Sequence, residues 1–189
     1  MTLLHGSLMG EMTRLIGLGT TVGVLLIDEQ GNFNGSPALI GSQRHFLAFC
    51  ASMRCPVWLV ELDPPSGMAN VVVPANTVQG RAMKTLVSLR SLVPDDTPVL
   101  RKSQFNAFVG TNLVADLAGR GVNSHLAVLG HEGSCCVKQT AVGGPPKPNA
   151  VPLVGATGYG FTVLSTASIV SGSTNSWSGN VNVGFYSQL

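Results

Sequence analysis

One short segment of the sequence has the residue types of a nucleophilic site. Cys135 and Cys136 follow an apolar run, His125–Leu129, that predicts a buried strand, and they precede residues 137–141, which predict the first turns of a helix. The first turn of a helix has unpaired N–H groups and lies at the positive end of the helix dipole. We therefore expect a cysteine at this junction to have a pKa below the reference value of about 8.5 and to form a thiolate. The alternative is that both cysteines are small buried hydrophobic residues.

Two other segments carry groups that such a nucleophile needs. Asp28 ends the apolar run Thr21–Ile27, and Lys102 follows the short run 98–101; both runs predict strands. The carboxyl ends of parallel strands lie at one edge of a sheet, where ligands bind. Asp28, Lys102 and Cys136 are therefore predicted to meet there, with the carboxylate accepting the thiol proton and the ammonium stabilising the thiolate. The alternatives are a solvated strand end for Asp28 and a surface charge for Lys102.

The order of the elements predicts the fold class. Apolar runs predict strands at residues 21–27, 57–60, 98–101, 125–129, 161–164 and 181–185. Helical patterns lie between most of them, which predicts a doubly wound three-layer α/β/α domain with a mostly parallel sheet of about six strands. We assign residues 21–189 to this domain. Residues 1–20 have apolar side chains at three-to-four spacing and predict a helical N-terminal segment.

Start and stop signals define the predicted helices. Ser36-Pro37 begins a helix that ends near Arg54, before the next strand. A helix is also predicted over Gly80–Leu92, and Thr111 is expected to cap a helix that ends at a following glycine. In the helix over residues 80–92, the apolar side is formed by Met83, Leu86, Val87 and Leu89.

The composition excludes several classes of partner. The 189 residues suffice for one domain, and only 11% are charged, which predicts a homo-oligomer, a dimer or tetramer, that covers part of its surface. The net charge is +2 without a basic stripe, so no nucleic-acid partner is expected. No apolar run reaches the roughly 18 residues of a membrane span, and no signal peptide is recognised, so no membrane partner is expected. The four cysteines lack zinc-ligand spacing, and we interpret them as reduced thiols of a cytoplasmic protein.

Three segments together resemble the signatures of one enzyme family. They are Asp28–Phe33, Lys102–Phe108 and the run from Gly130 through Val137 to Thr140-Ala141. In this order they resemble the isochorismatase-like cysteine hydrolases, a family that includes nicotinamidases, carbamoylsarcosine amidases and ureidoacrylate hydrolases. The resemblance implies that Asp28, Lys102 and Cys136 are catalytic. It favours Cys136 over Cys135 because Val137 and then Thr140-Ala141 follow Cys136.

The resemblance also implies an oxyanion hole. The family's cis peptide falls on the bond between His131 and Glu132, which would turn the backbone N–H of Glu132, with that of Cys136, toward the oxyanion. The candidates for the substrate pocket are Phe33, Phe108, His131 and Trp177. The alternatives are that the aromatic residues belong to the core and that the histidine is a hydrogen-bonded structural residue.

Departures from the family pattern narrow the expected function. Nicotinamidases bind a metal after the second strand, but this chain has only Glu61 and Asp63 there and no histidine between His45 and His125. We therefore expect no metal and no cofactor. The predicted function is a cysteine hydrolase that cleaves a C–N bond of a small molecule through a thioester. The alternatives are a non-catalytic binding or assembly module and a redox-sensing pair formed by the adjacent cysteines.

Overall fold

A mostly parallel sheet lies at the centre of the structure, a computed structural model that describes residues 2–31, 37–63, 84–130, 136–142, 162–164 and 185–186. The strands are β1 (Val22–Ile27), β2 (Val57–Leu62), β3 (Val99–Lys102), β4 (His125–Gly130), β5 (Thr162–Leu164) and β6 (Phe185–Tyr186). The helices are α1 (Thr2–Gly17), α2 (Pro37–Ser52), α3 (Val87–Arg90), α4 (Leu113–Gly119) and α5 (Lys138–Val142). Strands and helices thus alternate along most of the described chain.

The order of the strands reverses direction at β1. The order is β3-β2-β1-β4-β5, with all neighbours parallel, and β6 pairs with β4 in the antiparallel direction. The chain moves outward from β1 to β3 and then returns to the other side of β1 as β4. Such a reversal is where α/β sheets bind ligands, beyond the carboxyl ends of the strands. The predicted parallel α/β fold is confirmed.

Two apolar clusters cover the two faces of the sheet. On one, called here the α4 face, Leu25 and Ile27 of β1 pack in a cluster with Leu113 and Leu117 of α4. On the other, the α2 face, Val24 and Leu26 pack in a cluster with Phe46 of α2 and Met12 of α1. All six residues of β1 are buried because the strand lies between these layers. Burial of each large apolar side chain contributes roughly 1.5–3 kcal/mol.

A close backbone approach joins the ends of β1 and β4. Gly130 pairs with Ile27 across the two strands and has a φ of +139°. A Cβ atom at Gly130 would lie 2.0 Å from the Ile27 carbonyl oxygen. Only glycine fits this position, at the end of β4 beside the end of β1, which Asp28 directly follows.

The helix predicted over Gly80–Leu92 is wrong for the residues that are described. Residues 84–86 are not helical, and the helix is limited to α3. Val87, expected on the apolar side, is 82% exposed. The backbone N–H and hydroxyl of Thr85 both donate to a carboxylate oxygen of Glu61 (2.9 and 3.1 Å), and Thr85 forms a β-bridge with Gln30. These tertiary hydrogen bonds prevail over the local helical pattern.

The N-terminal segment includes α1, whose Met12 and Leu15 are buried in the α2-face cluster. The division into residues 1–20 and 21–189 stays a prediction. Among the described residues, no helix has the length and hydropathy needed to cross a membrane. Before α4, the Thr111 hydroxyl accepts a hydrogen bond from the Leu113 N–H at 3.3 Å, while Asn112 is the residue at the N-cap.

Candidate active site

Three buried side chains from distant parts of the chain meet at the carboxyl edge of the sheet. The Lys102 ammonium donates a hydrogen bond of 2.8 Å to Asp28 Oδ2 and one of 3.2 Å to Cys136 Sγ. Asp28 and Lys102 are each 1% exposed, and Cys136 is 5% exposed. The structure therefore brings together the acid, the cation and the sulfur that the sequence pattern singled out.

The turn after β1 holds the Asp28 carboxylate in place. Asp28 has a φ of +52°, a left-handed conformation that aspartate tolerates better than most residues, and its N–H donates to the Val60 carbonyl at 2.8 Å. Two residues later, the Gln30 side chain donates to the Leu62 carbonyl at 3.1 Å and accepts from the Leu62 N–H at 2.8 Å. This amide pairs with the end of β2 as another strand would, which fixes the turn that carries Asp28.

Strand alternation sends neighbouring cations of β3 to opposite faces. Leu100 is buried in the α4-face cluster, and Lys102, two residues on, reaches the buried site beside Cys136. Arg101 instead lies 3.4 Å from Asp63 and 3.7 Å from Glu61, and half of its side chain is exposed. Only one of the two cations is therefore available to the candidate site.

A buried threonine joins the cysteine helix to the loop after Lys102. The Thr140 hydroxyl accepts a hydrogen bond of 3.0 Å from the Ala107 N–H, and it lies 3.4 Å from the Phe105 carbonyl, to which it donates. Thr140 has no exposed surface. In the same loop, Asn106 Oδ1 accepts from the Phe108 N–H at 3.0 Å. In the sequence, Thr140 was singled out only by the family resemblance. That it links α5 to the loop after β3 is seen only in the structure.

The expected low pKa of Cys136 is a prediction that the structure overturns. The pKa of this thiol is raised to about 12, mainly by burial and also by the charge and hydrogen bonding of the Asp28 carboxylate. The Lys102 ammonium lowers the pKa, but by less than these effects raise it. Cys136 is therefore a protonated thiol in the resting site, with the carboxylate beside it as the acceptor for its proton.

A second buried carboxyl group follows Asp28 directly and was missed in the sequence. Glu29 is 1% exposed, and its Oε1 accepts a hydrogen bond of 2.5 Å from the amide of the fully buried Gln43 on α2. The pKa of Glu29 is raised to about 7, mainly by burial and also by the charge of Asp28, while the Gln43 hydrogen bond acts in the opposite direction. No pattern of residue types distinguishes this position from an exposed glutamate, since the signal is its burial.

The carboxylates of Glu61, within β2, and of Asp63, directly after it, both contact protein groups. Glu61 is buried; besides the two hydrogen bonds from Thr85, its other oxygen lies 3.7 Å from Lys84 and from Arg101. Within the described ranges, no group of three or more His, Cys, Asp or Glu residues could hold a metal ion.

The remaining candidates divide into one described residue and four undescribed ones. Phe108 is 2% exposed and belongs to the same apolar cluster as Cys136. Phe33, His131, Glu132 and Trp177 lie outside the described residues, as do Cys135 and the peptide bond expected to be cis. The oxyanion hole and most of the pocket therefore stay predictions.

Comparison with known proteins places this geometry in a family context. The family model described as "Isochorismatase domain" matches residues 23–144. No curated protein is similar enough to match. Solved structures share the fold at low sequence identity. An isochorismatase family protein from Desulfovibrio vulgaris subsp. vulgaris str. Hildenborough is 23% identical with a TM-score of 0.52, over 65% of this chain and 73% of that one.

Two further structures of the same fold carry names of amidases. A nicotinamidase/pyrazinamidase from Bacillus subtilis is 16% identical with a TM-score of 0.51, over 65% of this chain and 77% of that one. An N-carbamoylsarcosine amidase from Thermoplasma acidophilum is 20% identical with a TM-score of 0.50, over 76% of this chain and 95% of that one. At these identities the likeness concerns the fold.

Proposed function

Because the chain belongs to the isochorismatase family, we propose that it is a cysteine-dependent hydrolase that cleaves the C–N bond of a small amide through a thioester. The observation that carries this proposal is the Lys102 ammonium, which binds both the Asp28 carboxylate at 2.8 Å and the Cys136 sulfur at 3.2 Å in a buried site. A nucleophile, a base and a fixed cation within hydrogen-bond reach are the set that covalent catalysis requires.

In the first half of the reaction, Cys136 Sγ attacks the carbonyl carbon of the amide. The thiol proton passes to the Asp28 carboxylate as the C–S bond forms, so that a free thiolate is not needed beforehand. The raised pKa of Cys136 fits this order of events, because its proton leaves only when the sulfur gains a new bond. Collapse of the tetrahedral intermediate breaks the C–N bond, and Asp28 returns the proton to the leaving nitrogen.

Lys102 has two tasks in this cycle. It offsets the buried charge of Asp28 while that group is ionised, and it stabilises the negative charge that develops on Cys136 Sγ. The oxygen of the tetrahedral intermediate would be held by the backbone N–H groups of Cys136 and Glu132, the pair implied by the family resemblance. Such donors contribute roughly 3–4 kcal/mol each to transition-state stabilisation.

In the second half, water attacks the thioester. Asp28 accepts a proton from the water, the C–S bond breaks, and the proton returns to Cys136 as the carboxylic acid leaves. No metal or other cofactor takes part in this scheme. The thiol and the carboxylate are both restored, so the site is ready for a second substrate.

The substrate proposed is a small molecule with a primary amide or a ureido group. Two proteins of the same fold are named for amidase activity, one on nicotinamide or pyrazinamide and one on N-carbamoylsarcosine. These compounds are therefore suitable first members of a test panel. Phe33, Phe108, His131 and Trp177 are the residues we propose to line the pocket.

The test is release of ammonia from a panel of small amides and ureido acids, with intact-protein mass spectrometry of the quenched reaction. We expect turnover of at least one compound and an acyl group on Cys136. C136S and D28N should each lose activity by roughly a hundredfold or more, while C55S, a matched cysteine variant far from Asp28 in the fold, should keep it. Turnover that persists in C136S would contradict the thioester. Binding of panel compounds without hydrolysis would favour the alternative, a non-catalytic binding module.

A further inference from the structure

A second pair of thiols lies at the C-terminal end of α2. Arg54 has a φ of +55°, and its N–H donates to the Ala51 carbonyl at 3.2 Å. The Cys55 N–H donates to the Cys50 carbonyl at 2.9 Å. These bonds, with a left-handed residue between them, form a Schellman motif, in which the side chains of the two outer residues come into contact. Here both of those residues are cysteines.

The backbone geometry of the motif permits a disulfide bond. With standard bond lengths, a hydrogen bond of 2.9 Å between Cys55 N and Cys50 O limits the distance between their Cα atoms to roughly 7 Å. Disulfides form at Cα separations of about 4.4–6.8 Å. The two thiols also interact in the reduced state, since hydrogen bonding between them lowers the pKa of Cys55, while burial raises the pKa of Cys50.

The two cysteines differ in their access to solvent. Cys50 has no exposed surface and packs in the α2-face cluster, whereas Cys55 is half-buried. Cys55 lines a surface cavity of about 380 Å³ together with Arg54, Arg120 and Asp96. Hydrogen bonding with Cys50 lowers the pKa of Cys55 and so favours the anionic thiolate, which is the form that peroxides oxidise. A small oxidant can therefore reach the Cys55 sulfur from solvent, whereas the Cys50 sulfur is buried.

We propose that Cys55 is a site of oxidation by hydroperoxides, and that Cys50 resolves the product as an intramolecular disulfide at the end of α2. This differs from the adjacent pair Cys135-Cys136 considered from the sequence, because here a turn motif sets the two residues against each other. The Cys50–Cys55 pair also lies at the opposite end of the strands from Asp28 and Lys102, since it immediately precedes β2.

The chemistry consists of two steps. The Cys55 thiolate attacks one oxygen of hydrogen peroxide, the O–O bond breaks, and Cys55 becomes a sulfenic acid as hydroxide leaves and takes up a proton to form water. The Cys50 sulfur then attacks the Cys55 sulfur, the S–O bond breaks, and the thiol proton of Cys50 leaves with the oxygen as a second water. The two thiols together lose two electrons, which the peroxide accepts.

The position of Arg54 allows a direct test by peptide mapping. Trypsin cleaves between Arg54 and Cys55, so the two cysteines fall in separate peptides, residues 45–54 and 55–81, while Cys135 and Cys136 share the peptide 121–138. The full-length protein is treated with hydrogen peroxide at pH 7.5, blocked with iodoacetamide and digested without reductant. We expect peptides 45–54 and 55–81 to be joined by a disulfide, and dithiothreitol to separate them.

Variants identify which sulfur reacts first. In C50A, a sulfenic acid should accumulate on Cys55 and be captured by dimedone; C55S should give neither dimedone adduct nor linked peptides. C136S should form the link as the unaltered chain does. We expect free Cys55 to disappear roughly tenfold or more faster than free Cys136, whose thiol stays protonated. The proposal is overturned if peptide 121–138 is oxidised first, or if Cys55 in the unaltered chain accumulates as a sulfinic acid without linkage.

Discussion

At the scale of single residues, the charge state of Cys136 depends on the groups around it rather than on its place at a helix start. Asp28 raises the pKa of the thiol and Lys102 lowers it, so substitutions of these two residues should change thiol reactivity in opposite directions. We expect D28N to increase the rate of iodoacetamide labelling of Cys136 at pH 8, by roughly tenfold for each unit of lowered pKa. K102M should slow it. Both variants should lose hydrolysis of any amide that the enzyme turns over.

Measuring both Cys136 labelling and amide hydrolysis shows whether Asp28 accepts the thiol proton or only forms a structural ion pair with Lys102. Labelling is measured by mass spectrometry of the peptide 121–138 over a pH series, with C55S as background to remove the second reactive thiol. In the unaltered chain, labelling of Cys136 should still be rising above pH 9, since its pKa is raised to about 12. A plateau near pH 7 would contradict the resting thiol, and equal labelling in D28N and K102M would contradict the opposing charges.

Glu29 gives a prediction for stability against pH. Its pKa is raised from 4.5 to about 7 in the folded chain, so folding favours the protonated carboxyl group. The stability from this group is fully present below pH 4.5 and is lost as the pH rises to about 7, a difference of about 3 kcal/mol. The E29Q variant keeps a partner for Gln43 and carries no charge. It should therefore be more stable than the unaltered chain at pH 8, with the advantage vanishing near pH 4.5.

Urea unfolding of both proteins at several pH values measures this difference. Glu11 supplies the matched control, because hydrogen bonding to Arg14 lowers its pKa and the sign of its contribution is reversed. E11Q should be slightly less stable than the unaltered chain at pH 8. A stability difference for E29Q that does not change with pH would show that Glu29 is not protonated on folding.

At the scale of elements, β4 approaches β1 closely where Gly130 pairs with Ile27, the residue before Asp28. A Cβ atom at position 130 would lie 2.0 Å from the Ile27 carbonyl oxygen, and the φ of +139° is strained for any residue but glycine. We expect G130A to lower the free energy of unfolding by about 3 kcal/mol or more. G119A, where a Cβ atom meets nothing within 4 Å, should change it little. Thermal unfolding of both variants checks this, and equal melting temperatures would contradict the tight contact.

The elements that could be predicted from the sequence are the strands in which nearly every residue is buried. β1 and β4 are runs of apolar residues that lie between two layers, so composition alone identifies them. The segment before α3 could not be predicted in this way, because its conformation depends on Thr85 hydrogen bonding to Glu61, 24 residues earlier in the chain. Likewise the site residues followed from strand ends, whereas the protonation of Cys136 and Glu29 followed from burial, which is a property of the folded chain.

At the scale of the whole molecule, the low charge content predicts self-association. Only 11% of the residues are charged, and two of the five large apolar residues exposed on the described surface, Val87 (82% exposed) and Val99 (45% exposed), line one groove with Leu86. β3, which carries Val99, is at the end of the described strand order. A second copy of the chain would cover this groove. We expect sedimentation equilibrium to give a multiple of 19.6 kDa.

Charged substitutions locate the contact. The double variant V87K/V99K should shift the equilibrium toward the monomer, because two apolar contacts are replaced by charges that a closed interface must desolvate. V114K provides the control, since Val114 is exposed on α4, on the other face of the sheet. If V87K/V99K keeps the mass of the unaltered assembly while V114K dissociates it, the contact lies on the α4 face instead. A mass of 19.6 kDa for the unaltered chain at every concentration would contradict self-association, and the low fraction of charged residues would then need another explanation.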